Sequence, residues 1–265
     1  MYTRFQLTKK YLHYYLTASN GKGHGIHSPF VFDFVKNVLN DKRSYPAYQP
    51  IEDLRIKMLA DSTIIDVEDF GAGSSVIKTN KRVVSAIAAS SLKPKKFAQL
   101  LYRMVQYYKQ TTIVELGTSF GITTAYLASA NAASKVFTCE GSASIASIAK
   151  QNFADLQLNN VQLTEGDFET TLSPLLANLT EINFAFIDGN HRKEPTLGYF
   201  NQLLKYTTPV TILVFDDIHW SAEMEEAWAE IKEHPAVTLT IDLFFVSIVF
   251  LNPDINHKQH FTIRF

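Results

Sequence analysis

Between residues 111 and 236, short apolar, β-branched runs alternate with stretches of helical periodicity. The runs fall at 112–116, 135–139, 161–164, 183–187 and 210–215; the helical stretches lie near 121–131, 142–156, 169–178, 194–206 and 220–233. Strands that read apolar on both faces, each followed by a helix, predict a parallel sheet covered by helices on both sides. After residue 236 the pattern changes. The stretches 237–242, 244–251 and 261–265 are strand-like with no helix between them, which predicts an antiparallel finish.

Ahead of this region the chain reads mainly helical. Phe30, Phe32, Phe34, Val35, Val38 and Leu39 suit a helix with Ser28 as cap and Pro29 as its first residue. Residues 83–90 and 94–110 continue the helical pattern, with an apolar stripe at Phe97, Leu100, Leu101, Met104, Val105 and Tyr108. The glycine-rich loop 20–27 carries His24 and His27 and reads either as an exposed connection or as a substrate lid. These boundaries give an N-terminal helical extension over 1–94 and a second domain over 95–265.

Two glycine turns compete for the ligand. The stretch 112–128 runs strand, turn, helix, with Gly117 and Gly121 at the turn. Gly117 lets the backbone bend and approach a ligand, and Gly121 lets the helix start close to the strand. The second turn, 69–75, is preceded by Ile64-Ile-Asp-Val-Glu68, too acidic for a central parallel strand, and no helix start follows it. It is read as a surface loop.

With 46% hydrophobic and 19% charged residues over 265 positions, the chain has the composition of a soluble globular protein with a full core. It has no apolar run long enough to span a bilayer, and its start lacks a signal peptide's apolar core, so a cytoplasmic location with no membrane partner is expected. The single cysteine, Cys139, excludes an internal disulfide and suits a buried strand thiol. A net charge of −1 conceals an asymmetry: residues 1–114 carry 17 Lys/Arg against 8 Asp/Glu, and residues 115–265 carry 8 against 18. The basic half is either a solvated face or a landing surface for an anionic substrate or RNA.

Ligands of an open parallel sheet sit at the carboxyl ends of its strands. Here those ends carry Glu115, Glu140, Asp167, Asp188 and the pair Asp216-Asp217. Glu140, 23 residues after Gly117 and closing the second strand, stands where a carboxylate accepts hydrogen bonds from ribose hydroxyls. A dinucleotide would need a second glycine two residues after Gly117 for its pyrophosphate, and that position is Ser119.

Val114-Glu-Leu-Gly-Thr-Ser-Phe-Gly121, Cys139-Glu140, Gly166-Asp167, Phe186-Ile-Asp-Gly-Asn-His191 and Val214-Phe-Asp-Asp217 together resemble the class I S-adenosylmethionine-dependent methyltransferases, within them the catechol and caffeoyl-CoA O-methyltransferase group. The resemblance covers about residues 95–251. It implies a Rossmann-like α/β fold, a seven-stranded, mostly parallel sheet with an antiparallel final strand and helices on both faces. It implies S-adenosylmethionine held by Glu115, Gly117, Thr118, Ser119, Gly121, Glu140, Gly166, Asp167 and Asp188. For metal-dependent members it implies Mg²⁺ or another divalent cation on Asp188, Asp216 and Asp217. His191 falls where that subgroup has a basic lysine, so His191 and Asp188 are the catalytic candidates. The expected activity is methyl transfer to a small-molecule acceptor, with a hydroxyl as the group and an anionic character in keeping with the basic half. The alternative is RNA methylation by that half. A homodimer is compatible with the sequence.

Overall fold

The computed structural model describes residues 1–68 and 80–265, so the 69–75 turn lies outside the described residues. The chain forms two compact units, Met1–Lys42 with Glu181–Phe265, and Arg43–Thr180. In the first of these units the first helix packs with the C-terminal strands.

That helix, α1 (Arg4–Thr17), starts with reciprocal caps: the Gln6 backbone N–H donates to Thr3 Oγ1 and the Thr3 N–H donates to Gln6 Oε1. Its Tyr14 Oη donates to the Ile263 carbonyl at 2.6 Å, and Tyr11 and Tyr14 pack against Phe244. Helix α2 (Pro29–Phe34) has proline at its first position as expected, and a π turn at Val35–Leu39 extends it. Ser28 occupies the cap position, but its side chain makes no capping bond. His24 and His27 are both exposed.

The second unit opens with α3 (Tyr48–Ala60), then β1 (Ile64–Asp66) antiparallel to β2 (Lys81–Val83). The acidic stretch is therefore a two-stranded ribbon, consistent with its exclusion from a central strand. Helices α4 (Val84–Ser91) and α5 (Lys95–Tyr107) follow, and Phe97, Leu100, Leu101, Met104 and Val105 of the predicted stripe are all buried. Next come β3 (Thr112–Leu116), α6 (Ile122–Ala130), β4 (Lys135–Glu140), α7 (Ala143–Asp155), β5 (Val161–Glu165) and α8 (Phe168–Ala177). β4 lies between β3 and β5, parallel to both, with Leu116 opposite Cys139 and Glu140 opposite Glu165. Register therefore brings the acidic strand ends side by side.

The chain then returns to the first unit with β6 (Ile182–Ile187), α9 (Lys193–Leu204), β7 (Thr207–Asp216), α10 (Ala222–Glu233), β8 (Leu239–Asp242), β9 (Val246–Phe250) and β10 (Gln259–Thr262). β6 is buried at every residue, as its unbroken apolar run requires. β7 pairs parallel to β6 and antiparallel to β9; β8 pairs antiparallel to β9 and parallel to β10. The main-sheet strands thus number three in one unit and five in the other, against the seven expected. β9 supplies the expected antiparallel strand. β10 is an addition beyond it, and it runs parallel to its neighbour. Among the described residues no helix is long and apolar enough to cross a membrane.

Gly121 shows how tightly the glycine turn is built. It sits at φ +79°, and a Cβ there would lie 2.3 Å from Phe153 Cε1 on α7. Gly121→Ala should therefore combine left-handed strain with overpacking and cost roughly 2–4 kcal/mol. Urea unfolding of the variant beside the parent measures it, and an unchanged midpoint would contradict the packing described.

Candidate active site

In the 43–180 unit, the loop after β3 is fastened to the end of β4. The Gly117 and Thr118 N–H groups both donate to the Cys139 carbonyl, at 3.1 and 3.2 Å. The Ser119 N–H donates to Glu140 Oε2 at 2.8 Å, and the Ser142 N–H donates to Glu140 Oε1 at 3.0 Å. Gly117 at φ +103° and Ser119 at φ +48° supply the bend that aims these donors. Burial raises the Glu140 pKa above its ordinary value, partly offset by the N–H groups of Ser142, Ser119 and Gly141.

Glu115 lies beneath the loop, fully buried. Its Oε2 accepts the hydroxyls of Thr124 on α6 and Thr138 on β4. Thr138 also meets Thr118 Oγ1 at 2.6 Å. Thr118 belongs to the expected site, whereas Thr124 and Thr138 are residues the sequence pattern does not mark; together they join strand, loop and helix around one carboxylate. Gly166 is left-handed at φ +125°, and a Cβ there would lie 3.0 Å from Thr171 Cγ2. Asp167 caps α8, its Oδ1 accepting the Glu169 N–H at 3.1 Å. Ser91, at the end of α4, meets Ser119 Oγ at 2.8 Å and is a loop partner that sequence spacing does not reveal. Cys139 is buried, and burial pushes its thiol up to about 11, as fits an inert strand thiol.

In the other unit, Ile187 of β6 stands opposite Phe215 of β7, so the next residues, Asp188 and Asp216, leave the sheet together. Asp188, His191 and Asp216 each offer a ligand atom within 4.8 Å of the other two, and His191 Nε2 is 3.5 Å from Asp188 Oδ1. Asp216 is buried; Asp188 and His191 are half-buried. This cluster contains two of the three expected metal ligands, Asp188 and Asp216, and brings His191 beside them. Asp217, the next residue, is left-handed at φ +50°, and its N–H donates to the Phe245 carbonyl at 3.1 Å.

The turn that begins at Asp216 ends in a clamp. His219 Nε2 lies 2.9 Å from Asp242 Oδ2 and Nδ1 lies 3.0 Å from Glu225 Oε1. Burial alone would lower the His219 pKa, but the bonds to Asp242 and Glu225 carry it above its ordinary value.

A family described as a methyltransferase domain matches residues 114–218, the stretch that contains the β3 loop, Glu140, Asp188, His191 and Asp216. No curated protein sequence matches the chain. Among solved structures, the chain is similar to a Podospora anserina methyltransferase bound to S-adenosylhomocysteine (TM-score 0.59, 13% identity, 95% of this chain and 97% of that one). It is also similar to a Bacillus cereus O-methyltransferase in complex with S-adenosylhomocysteine (0.55, 21%, 83% and 97%). A third is the Streptomyces achromogenes O-methyltransferase of tomaymycin synthesis in complex with S-adenosylmethionine (0.54, 19%, 61% and 82%). At these identities the likeness is one of fold, and the fold is the class I methyltransferase fold that the motifs imply.

The hydroxyl set around Glu115 yields a stability test. Thr138→Val keeps the shape and removes one donor from a fully buried carboxylate, so it should cost about 1–3 kcal/mol in denaturant unfolding. A cost near zero would show that Thr138 is not a significant donor to Glu115.

Proposed function

We propose that the chain transfers the methyl group of S-adenosylmethionine to a hydroxyl of a small-molecule acceptor, with assistance from a divalent cation. The observation that carries the reading is the fastened β3 loop of the methyltransferase domain, closed on a carboxylate at the end of β4. Glu140 is held by two backbone donors, one on each oxygen, and each carboxylate oxygen has further acceptor capacity for a ribose diol. The cofactor carries no phosphate, in keeping with Ser119 where a dinucleotide loop requires glycine. Gly117, Thr118, Ser119 and Gly121 shape the methionine end, Glu115 braces it from below, and Gly166-Asp167 borders the base.

The acidic cluster fits a cation by its chemistry. Two carboxylates beside an imidazole suit a divalent first-row ion or Mg²⁺, and the imidazole moves the preference away from Ca²⁺. Such an ion, when bound, lowers the pKa of an acceptor hydroxyl. Asp188 lies 3.5 Å from His191 Nε2, and the His191 nitrogen left free of the ion and of Asp188 takes up the hydroxyl proton. Asp217, the next residue of the turn, is the third carboxylate proposed to hold the ion. The acceptor is selected by segments before residue 95, and the relatives named as O-methyltransferases favour a small molecule over RNA.

Glu140→Ala should weaken S-adenosylmethionine binding about tenfold to a hundredfold, the worth of hydrogen bonds to a charged group. For the parent, the ionised form is the acceptor for two donated hydroxyls. Because burial raises the Glu140 pKa, affinity should fall as pH drops through that raised value, before ordinary glutamates titrate. Calorimetry on both proteins across pH checks this, and equal affinities would remove Glu140 from the site.

Asp216→Ala should abolish cation-stimulated methyl transfer while leaving cofactor affinity within about twofold, since the proposed role of Asp216 is to hold the ion and not the cofactor's ribose. Turnover that is indifferent to chelator in the parent would remove the cation from the reaction.

A further inference from the structure

Helix α1 is apolar on two opposite faces. At about 100° per residue, Phe5, Leu12 and Leu16 fall within roughly 40° of one another, opposite Tyr14. Tyr14 is buried against Phe244, whereas Phe5, Leu12 and Leu16 are 71%, 53% and 77% exposed. Three large apolar side chains aligned over three turns are more than the scattered exposed residues of an ordinary surface.

Charge narrows what can cover this ridge. Residues 1–32 contain no acidic side chain. Lys9 lies along the ridge with its Nζ 5.5 Å from the Phe5 ring, and Arg4 flanks the other side. Tyr15, 46% exposed, borders the ridge with the Arg264 guanidinium 4.7 Å from its ring centroid. The surface is an apolar crest with cations on its flanks. A second copy is a poor fit, because residues 1–32 of that copy would bring no acidic side chain to meet Arg4 and Lys9. The crest carries no polar group besides Lys9 that would select a partner by hydrogen bonding. Phenylalanine and leucine between flanking cations is the arrangement that enters the headgroup region of an anionic bilayer and lies in its plane.

We propose that the outward face of α1 docks the protein on an anionic phospholipid surface, with Phe5, Leu12 and Leu16 inserted among the acyl chains and Arg4 and Lys9 at the headgroup phosphates. The inward face of the same helix stays bound to the protein: Tyr2 Oη and Lys10 Nζ both bond Glu225, and the Tyr2 N–H donates to the Trp220 carbonyl at 3.0 Å. Docking therefore sets a surface beside the turn that follows Asp216, without requiring α1 to leave its place.

The test is flotation of the full chain with phosphatidylcholine vesicles, with and without phosphatidylglycerol, at low and high salt. Binding is expected with the anionic vesicles alone and should fall as salt rises. Phe5→Ser combined with Leu16→Ser should weaken it about tenfold or more, as should Arg4→Glu combined with Lys9→Glu. Phe5, Lys9 and Leu16 are on the outward side and Arg4 on its flank, all four exposed, so thermal unfolding followed by circular dichroism should match the parent and exclude misfolding as the cause. Absence of binding to anionic vesicles, or binding indifferent to both double variants, overturns the proposal. So does a concentration-dependent dimer that Phe5→Ser/Leu16→Ser dissociates in the absence of lipid, which would assign the face to a protein partner.

Discussion

A buried carboxylate must find donors, and in the 43–180 unit two carboxylates meet that demand by organising the backbone around them. Glu115 draws hydroxyls from α6 and β4 beneath the turn, and Glu140 draws the Ser119 and Ser142 N–H groups above it. The loop between them is consequently fixed from both sides. Its glycines are needed because the geometry these bonds impose is left-handed at Gly117 and Gly121, and at Gly121 Phe153 leaves no room for a Cβ. The binding corner is thus rigid for reasons of polar satisfaction, and pre-organisation for a ligand comes with it.

Much of this fold was legible in the sequence because its strands are short, doubly buried and separated by helices, so periodicity switches sharply at each boundary. β3, β4, β5 and β6 fall within a residue of their expected limits at nearly every end. What was hidden is what depends on distant partners. β10 pairs with β8 and the Ser19 stretch abuts Ile263, contacts that no local pattern encodes. Ser28 has the right residue type and position for a cap, but the side chain makes no capping bond. The N-terminal helix reads as part of an extension, yet its aromatic face belongs with Phe244.

The site divides in the same way. Strand-end position identifies Glu140, Asp188 and Asp216, since a residue closing a parallel strand has only one end of the sheet to face. What joins these carboxylates depends on local backbone conformation, which strand-end position does not reach: Asp217 takes a left-handed turn with its N–H on Phe245, and the His191 side chain comes back to within 3.5 Å of Asp188. The Thr124 and Thr138 hydroxyls escaped notice because such residues are common on any surface, and only burial reveals their work.

The turn from Asp216 to Ser221 also shows how the chemistry is braced. Asp216 and Asp188 are like charges held close, an arrangement that disfavours having both ionised without a cation or a proton between them. A few residues on, the same turn is anchored by the opposite arrangement, a histidine between two carboxylates, with Lys10 and Tyr2 completing the shell of Glu225. Burial alone would raise the Glu225 pKa, but its bonds from His219, Lys10 and Tyr2 hold it below the ordinary value. The His219 contribution to stability is full below the ordinary histidine range and is lost as pH rises through its raised pKa; that of Glu225 is full above the ordinary glutamate range and is lost as pH falls through its lowered one. The brace is therefore strongest between those limits, in mildly acidic solution. It weakens toward alkaline pH, where proton abstraction from an acceptor hydroxyl becomes easier, so the turn that carries Asp216 is held by groups whose proton balance opposes that of the chemistry beside it.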